Sequence, residues 1–434
     1  MIRSNRFVLL AWLGAAACGG AQPSPSAPSS AAPATGASSA PAAAASPAAA
    51  PDTGGLPVPT AAADAIQPVT ITPPSAEGNP FAGVGFYIHP AYVKKVESSI
   101  KADPADAALL KKVEAFPTAV WLDSIAAAGT VSKVLDDAAA QEKKAGKPLV
   151  TVFAVYDLPE RDCSAVASNG ELTAANGGEK KYAKDFIGKI AAAFKAHPKQ
   201  RIVAIVEPDS LPNIATNLSV KKCADAEPIY KHSIATAIRE LSLPNVSLYL
   251  DAAHAGWLGW SGNRMKIVKL YEEVLKDAGG ADKIRGFATN VSNYDSLKGG
   301  DLGKLQPSDP CPDELTYVQQ LDDTLTREGI TGKAFVIDTS RNGKAGIRTN
   351  SGSWCNIKGA GLGERPQASP APLVDAYFWI KPPGDADGGA DPNKPGFDKS
   401  CGPDSKDSAP GAPRAGDWFS SYFVDLAKNA DPPL

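Results

Sequence analysis

The sequence predicts an α/β fold in which parallel strands and helices alternate around a barrel. From residue 118 onward, short apolar runs alternate with amphipathic stretches seven or eight times, as in a chain of βα units. The runs are rich in Val, Ile, Phe and Tyr and show no period-2 polarity, which is typical of strands covered on both faces. An open doubly wound sheet is the alternative, although no GxGxxG motif follows the first run.

The elements are predicted in chain order from these two patterns. The apolar runs that we expect to form strands cover residues 84–88, 119–122, 149–156, 202–206, 246–250, 284–288, 334–337 and 376–380. Apolar residues three and four apart indicate helices, and this spacing recurs at residues 132–144, 181–197, 228–241, 266–277 and 313–328. In a barrel, the carboxyl ends of all the strands open at one mouth.

The first 78 residues differ in composition from the rest of the chain. Residues 1–18 have an early positive charge and an apolar core, which predicts a secretory signal. The end of this segment resembles a bacterial lipobox, so we expect Cys18 to carry lipid and to tether the secreted protein to the cell envelope. Ordinary signal cleavage, which gives an extracellular protein, is the alternative. Residues 19–78 are rich in Ala, Pro and Ser and predict a disordered linker, and residues 79–434 predict the folded domain.

Composition excludes several classes of function. The net charge is −3 and no basic stripe is present, so we expect no nucleic-acid partner. The six cysteines of an exported chain indicate disulfides. Neither CxxC pairs nor Cys/His spacings of a zinc site occur, so we expect no bound metal. We expect the protein to be a monomer.

Polar residues follow most of the predicted strands. They are Asp157 and Asp162 after strand 149–156, Glu207 and Asp209 after 202–206, Asp251 and His254 after 246–250, Asn290 and Asn293 after 284–288, Asp338 and Arg341 after 334–337, and Lys381, Asp385 and Asp387 after 376–380. One or two such acids would be ordinary helix caps. Acids or amides after five strands, with tryptophans beside several of them, predict an active site at the mouth.

Carboxylates together with indole rings favour chemistry on sugars. A glycosidic bond breaks through an oxocarbenium-like state, in which one acid protonates the leaving oxygen and a second carboxylate acts on water or on the sugar. The acid keeps its proton near neutral pH only if burial or a like charge raises its pKa. The apolar faces of sugars stack well on indole rings.

Six segments of the folded domain carry motifs in a specific order. They are VYDLPERDC at 155–163, IVEPDSL at 205–211, YLDAAHAGWLGW at 249–260, NVSNY at 290–294, IDTSRNG at 337–343 with WCN at 354–356, and WIKPPGDADG at 379–388. Together they resemble glycoside hydrolase family 6, the cellobiohydrolases and endoglucanases that act on cellulose. The resemblance covers residues 79–434, which would then be the catalytic domain.

The resemblance implies a distorted, TIM-like barrel of about seven parallel strands and an inverting mechanism without metal or organic cofactor. It makes Asp209 the proton donor, and Asp162 the acid that raises the pKa of the donor and helps to orient water. Asp387 would be the base. Alternatively, a chain of waters through Tyr156, Ser168 and Asp162 would carry the proton.

The substrate would be a β-1,4-glucan chain of cellulose. The expected substrate contacts are Trp121, Asp123, Tyr156, Ser168, Asp251, His254, Trp257, Trp260, Asn293, Trp354, Lys381 and Asp385. Two positions depart from the family pattern. Ala253 stands where the family usually has Gly, and Asp385 stands where it usually has Glu. The shorter Asp385 predicts a weaker or water-mediated contact with sugar hydroxyls.

The family also implies two disulfides, Cys163–Cys223 and Cys355–Cys401, which leaves Cys311 without a matched partner. Two long segments, 163–180 and 387–401, resemble the loops that roof the site of exo-acting members. We therefore expect a cellobiohydrolase that releases cellobiose from chain ends, by resemblance the non-reducing ends. An endoglucanase is the second reading, and a cell-surface protein that binds glucan without hydrolysing it is the third.

Overall fold

The computed structural model of the protein describes residues 78–434 with the exception of Val166 and Asp301. The expected signal segment with Cys18, and the expected linker up to residue 77, lie outside the described residues. Among the described helices, none is both long and apolar enough to cross a membrane.

A curled sheet lies at the centre of the domain. The strands of the described residues are β1 (Gly85–Phe86), β2 (Val120–Leu122), β3 (Leu149–Val155), β4 (Arg201–Val206), β5 (Val246–Asp251), β6 (Gly286–Thr289), β7 (Ala334–Asp338), β8 (Gln367–Ala371) and β9 (Val374–Phe378). They run in the order β1-β3-β4-β5-β6-β7-β9-β8, and β2 also pairs with β3. All pairs are parallel except β8 with β9.

The sheet curls into a distorted barrel with seven parallel positions. β1 pairs with the beginning of β3 and β2 with its end, so these two short strands share one position. The backbone N–H of Ala119 donates to the carbonyl oxygen of Trp379 at 3.1 Å, which brings the two ends of the parallel array together. The prediction of a TIM-like barrel is therefore confirmed. The antiparallel β8 was not predicted, because its sequence, QASPA, has no apolar run.

Helices cover the outside of the sheet. They are α1 (Pro90–Ala102), α2 (Ala107–Val113), α3 (Ile125–Ala128), α4 (Val131–Ala145), α5 (Gly178–Lys181), α6 (Gly188–Ala196), α7 (Ser210–Thr216), α8 (Lys221–Leu241), α9 (Ala255–Leu258), α10 (Ser261–Ala278), α11 (Leu302–Leu305), α12 (Glu314–Arg327) and α13 (Ser420–Lys428). A π-helical segment, Tyr182–Ile187, joins α5 to α6. All five predicted helical stretches are helical.

The start of α8 differs from the prediction. The apolar spacing predicted a helix from residue 228. Proline lacks the N–H group that a helix interior uses. The helix instead begins at Lys221 and continues through Pro228. Its first turns are held by the buried side chains of Cys223 and Ala226, and Cys223 is bonded to Cys163. Tertiary contacts therefore outweigh the local cost of proline.

Both faces of the sheet are apolar, as the lack of period-2 polarity predicted. Val150, Val203, Tyr249 and Val336 belong to one buried cluster, which joins four strands inside the curl. Alternate side chains such as Phe153 belong to a second cluster that includes residues of the helices. The barrel is thus a packed core.

Both expected disulfides are present. Cys163 is bonded to Cys223 with a Cα–Cα distance of 4.9 Å, and Cys355 is bonded to Cys401 with a Cα–Cα distance of 5.2 Å. Cys311 is free and buried. The first bridge fastens the loop after β3 to α8, and the second fastens two loops beside the mouth of the barrel.

Candidate active site

A cleft of about 830 Å³ opens at the carboxyl ends of the strands. The predicted site residues that line it are Trp121, Asp123, Tyr156, Asp162, Ser168, Asp209, His254, Trp257, Trp260, Asn293, Trp354, Lys381, Asp385 and Asp387. Asp251 was expected to contact substrate as well. The structure instead places it below the cleft, where it is 3% exposed and binds the backbone of Asp209. Asp251 is therefore a supporting residue.

Asp209 lies between the end of β4 and the first residue of α7. Its φ of 65° is left-handed, a conformation that costs a residue with a side chain about 1 kcal/mol. Two hydrogen bonds hold it there. The backbone N–H of Asp209 donates to Asp251 Oδ2 at 3.0 Å, and Asn213 Nδ2 donates to the carbonyl oxygen of Asp209 at 2.7 Å. Strain of this kind is typical of functional positions.

The carboxyl group of Asp209 is set to keep its proton. Burial raises its pKa well above the usual range, and the charges of Asp251 and then Asp162 raise the pKa further, against the effect of Lys381. Burial also raises the pKa of Asp251, to about 7, although two backbone N–H groups donate to Asp251. No donor among the described residues binds the carboxyl of Asp209, so Asp209 keeps its proton to the higher pH of the two.

Asp162 lies in the loop after β3, which Arg161 fastens to its surroundings. The hydroxyl of Tyr156 donates to Asp162 Oδ2 at 2.6 Å. The guanidinium of Arg161 donates to the carbonyl oxygens of Ser168 at 2.8 Å and Asp123 at 3.1 Å, and it lies 4.2 Å from the ring centre of Tyr156. One arginine thus holds together the residues that were expected to relay a proton through water.

Asp387 has the opposite environment to Asp209. Arg341 Nη1 donates to both of its oxygens, at 2.7 and 2.8 Å, and Lys381 Nζ lies 3.6 Å from Oδ1. The hydroxyl of Tyr294 and the backbone N–H of Asn356 each donate to Oδ2 at 2.8 Å. Burial alone would raise the pKa of Asp387, but Arg341 and then Lys381 hold it below the usual range. Asp387 is therefore ionised.

His254 is oriented by a chain of polar contacts. Its Nδ1 lies 2.7 Å from Asp295 Oδ2, and Asn293 Nδ2 lies 2.8 Å from its Nε2. Arg348 Nη2 donates to the other oxygen of Asp295 at 2.6 Å. His254, Asp295 and Glu314 are close enough to hold a metal ion, but the oxygen of Asp295 that faces His254 is already taken by Nδ1 and by the backbone N–H of Gly256. The arrangement is better suited to fixing the imidazole than to binding a metal.

Four indole rings line the cleft, from Trp121, Trp257, Trp260 and Trp354. Trp121 Nε1 donates to the carbonyl oxygen of Ile380 at 2.8 Å, and Trp257 Nε1 donates to the hydroxyl of a threonine at the end of α7, also at 2.8 Å. The polar edges of these two rings are therefore satisfied by protein. All four rings are half-buried in the wall of the cleft, so the part of each ring that lines the cleft can pack on a sugar.

Sequence reasoning did not assign roles to several residues that support the site. They are Arg161, Tyr294, Asp295, Arg341, Arg348 and Lys95. Arg161, Tyr294 and Arg341 stand in the motifs quoted above, and Asp295 directly follows one of them. A search of polar residues in and beside the motifs would therefore have found these four. Arg348 and Lys95 lie outside those motifs, and nothing in the sequence pointed to them.

A cleft that keeps one acid protonated and another ionised, and that is lined by half-buried indole rings, has the features of a glycoside hydrolase. Comparison with known proteins agrees. The profile of the family described as glycosyl hydrolases family 6 matches residues 81–430. The chain belongs to this family.

Relatives of the chain have both exo and endo names. It is 39% identical to exoglucanase 3 of Agaricus bisporus over 83% of this chain and 81% of the relative. It is 40% identical to a putative endoglucanase type B of Fusarium oxysporum, over 82% and 78%. The catalytic core of a Chaetomium thermophilum cellobiohydrolase superposes with a TM-score of 0.79 at 38% identity, over 82% of this chain and 99% of that core.

The role of Asp251 can be tested through the pH dependence of activity. Both hydrogen bonds that Asp251 accepts end on Oδ2, so Asp251→Asn can keep them while removing the charge. The pKa of Asp209 should then fall, and the alkaline limb of kcat/KM should move to lower pH by about one unit. Asp225→Asn, on the exposed side of α8, is the matched control. An alkaline limb that stays in place in Asp251→Asn would contradict this assignment.

Proposed function

We propose that the protein hydrolyses β-1,4-glucosidic bonds of cellulose with inversion at the anomeric carbon, and that it does so as a cellobiohydrolase. The observation that carries the proposal is the opposite protonation of two acids in one cleft, protonated Asp209 and ionised Asp387. Family membership and the cellulase names of the relatives support the choice of substrate. No organic cofactor or metal takes part in the proposed reaction.

Asp209 donates its proton to the glycosidic oxygen as the bond to the leaving sugar breaks. Positive charge develops on the remaining sugar ring, and a water attacks from the opposite face. The proton of that water must pass to a base. Donors occupy both oxygens of Asp387 and its pKa is lowered, which makes Asp387 a weak acceptor. We therefore favour transfer through water to the hydrogen-bonded pair of Tyr156 and Asp162. Asp387 then stabilises the positive charge.

The exo assignment rests on the close approach of two loops, which we propose form a roof over the cleft. Ala167 belongs to the loop after Asp162, and Gly388 follows Asp387. A Cβ placed on Gly388 would lie 2.9 Å from the Cβ of Ala167 and 2.6 Å from the sulfur of Cys401. The loops thus approach so closely that only glycine fits at 388. A roof of this kind favours threading of a chain end over binding in the middle of a chain, which supports release of cellobiose from ends.

Removal of the proton donor should abolish hydrolysis without unfolding the protein. We expect Asp209→Asn to lower kcat on cellohexaose by about 1000-fold, because general acid catalysis supplies rate factors of this order. NMR detection of the newly formed products should show the α-anomer for the wild type, as inversion requires. Binding of cellohexaose without hydrolysis by the wild type would favour the non-catalytic glucan-binding protein instead.

The roof can be opened by one methyl group. Gly388→Ala must push the two loops apart, so cutting in the middle of chains should rise relative to release from ends. The measurement is the fall in viscosity of carboxymethylcellulose per reducing end formed. Gly262→Ala is the matched control, because nothing lies within 4 Å of a Cβ at that position. An unchanged ratio in Gly388→Ala would count against the roof and leave the endoglucanase reading in place.

The beginning of the chain supports a further part of the proposal, that the enzyme is exported and held at the cell envelope by lipid on Cys18. This part rests on composition alone. We expect Cys18→Ala to move the enzyme from the membrane fraction to the soluble fraction, and labelled fatty acid to enter only the wild type. A Cys18→Ala protein that still fractionates with membranes would argue for signal cleavage without an anchor.

A further inference from the structure

Lys95 on α1 reaches the cleft from an element that carries no other part of the catalytic machinery described above. Its Nζ lies 2.6 Å from Asp385 Oδ1, and both residues line the cleft. The side chain of Lys95 is 36% exposed and that of Asp385 is 12% exposed. A charged pair therefore stands in the wall of the cleft. Its acid, Asp385, precedes Asp387 by two residues in the chain.

The attachment of α1 to the barrel does not explain this pair. The hydroxyl of Tyr92 on α1 donates to the carbonyl oxygen of Pro383 at 3.2 Å. Trp418 Nε1 donates to the hydroxyl of Ser99 on α1 at 2.9 Å, and the backbone of Trp418 pairs with that of Asp385. These contacts already join α1 to the segment of Asp385. Ion pairs with an exposed member add little to stability.

The chemistry of the pair suits recognition of sugar hydroxyls. A lysine ammonium has three N–H donors, and Asp385 is the one hydrogen-bond acceptor that Lys95 Nζ has among the described residues. Asp385 Oδ2 accepts no hydrogen bond from the described residues. An unused donor next to an unused acceptor matches two neighbouring hydroxyl groups of a pyranose ring, each of which donates and accepts.

The charges around the pair keep Asp385 available as an acceptor. Burial raises the pKa of Asp385 above its usual range, and Lys95 and then Lys381 and Arg341 limit this rise. Tyr92, another titratable group close to Asp385, holds its own proton because it is buried. Lys95 is the nearest of the cations and the only one in direct contact with the carboxylate among the described residues.

We propose that Lys95 is a substrate-binding residue, and that Lys95 and Asp385 together recognise vicinal hydroxyls of one glucose unit of the bound glucan. This rests on the proposed function for the identity of the substrate. The pair also accounts for the shorter acid at position 385. Aspartate is one methylene shorter than the glutamate that the family usually has. The ammonium of Lys95 therefore makes part of the contact with the sugar, and the carboxylate of Asp385 makes the rest.

The test measures binding separately from chemistry. In an Asp209→Asn background, calorimetry gives the Kd of cellotetraose for Lys95→Met, Lys95→Arg and Lys94→Met. Lys94 is exposed on the same helix and serves as the matched control. We expect Lys95→Met to weaken binding about ten-fold, which is 1.4 kcal/mol, Lys95→Arg to restore most of the affinity, and Lys94→Met to match the background.

Kinetics on the otherwise wild-type enzyme separates the possible roles. Lys95→Met should raise KM with little change in kcat, because the contact is made in the ground state and the transition state alike. Its effect should largely disappear in an Asp385→Asn background, as expected for residues that act as a pair. If the wild type hydrolyses cellotetraose but Lys95→Met binds and turns it over normally, this inference is wrong and the proposed function stands. If the wild type itself neither binds nor hydrolyses cellotetraose, the proposed function is wrong, whatever the role of Lys95.

A structural role for Lys95 would give a different pattern. Lys95→Met would then lower the thermal midpoint, and the affinity would recover at temperatures well below that midpoint. Such recovery would overturn the proposal. A weaker Kd that persists at low temperature, with an unchanged midpoint, would support it.

Discussion

Partial removal of the Asp209 carboxyl group from water, beside other acids, is the constraint on which the rest of the site depends. A carboxylic acid donates a proton to a leaving group only if it is still protonated at the pH of the reaction. Here burial is the largest cause of its raised pKa, and the neighbouring acids Asp251 and Asp162 add to it. Burial requires a packed barrel below the residue and a left-handed backbone at the end of β4 to direct the side chain into the cleft.

The two sides of the mouth carry opposite charge. Asp162, after β3, and Asp251, at the end of β5, lie beside Asp209. Arg341, Lys381 and Lys95 instead lie beside the acids that follow β9. Asp387 is ionised because cations face it, whereas Asp209 is protonated because burial and the neighbouring acids both raise its pKa. The same type of side chain thus takes two roles, set by its neighbours. A sugar ring bound between them would meet a proton on one side and negative charge on the other.

Much of this arrangement could be predicted from the sequence, because strand ends of a parallel barrel must meet at one mouth. From the sequence alone, that rule predicts that Asp209, Asp387 and His254 lie together. The rule failed for Asp251. It predicts that a residue lies near the mouth, but it does not predict whether the side chain faces the cleft or the layer below. It could not find Lys95, which is 290 residues from its partner and stands on a helix without a motif. The disulfide pairs came from the family resemblance and are confirmed.

The protonation states themselves are the most direct test of this account. Neutron diffraction from deuterium-exchanged crystals at mildly acidic pH would locate the hydrogen atoms on the carboxyl groups of the cleft. We predict a deuteron on a carboxyl oxygen of Asp209 and none bonded to Asp387. The oxygens of Asp387 should instead accept hydrogen bonds from the deuterated groups of Arg341 and Tyr294. An ionised Asp209, or a deuteron covalently bound to Asp387, would contradict it.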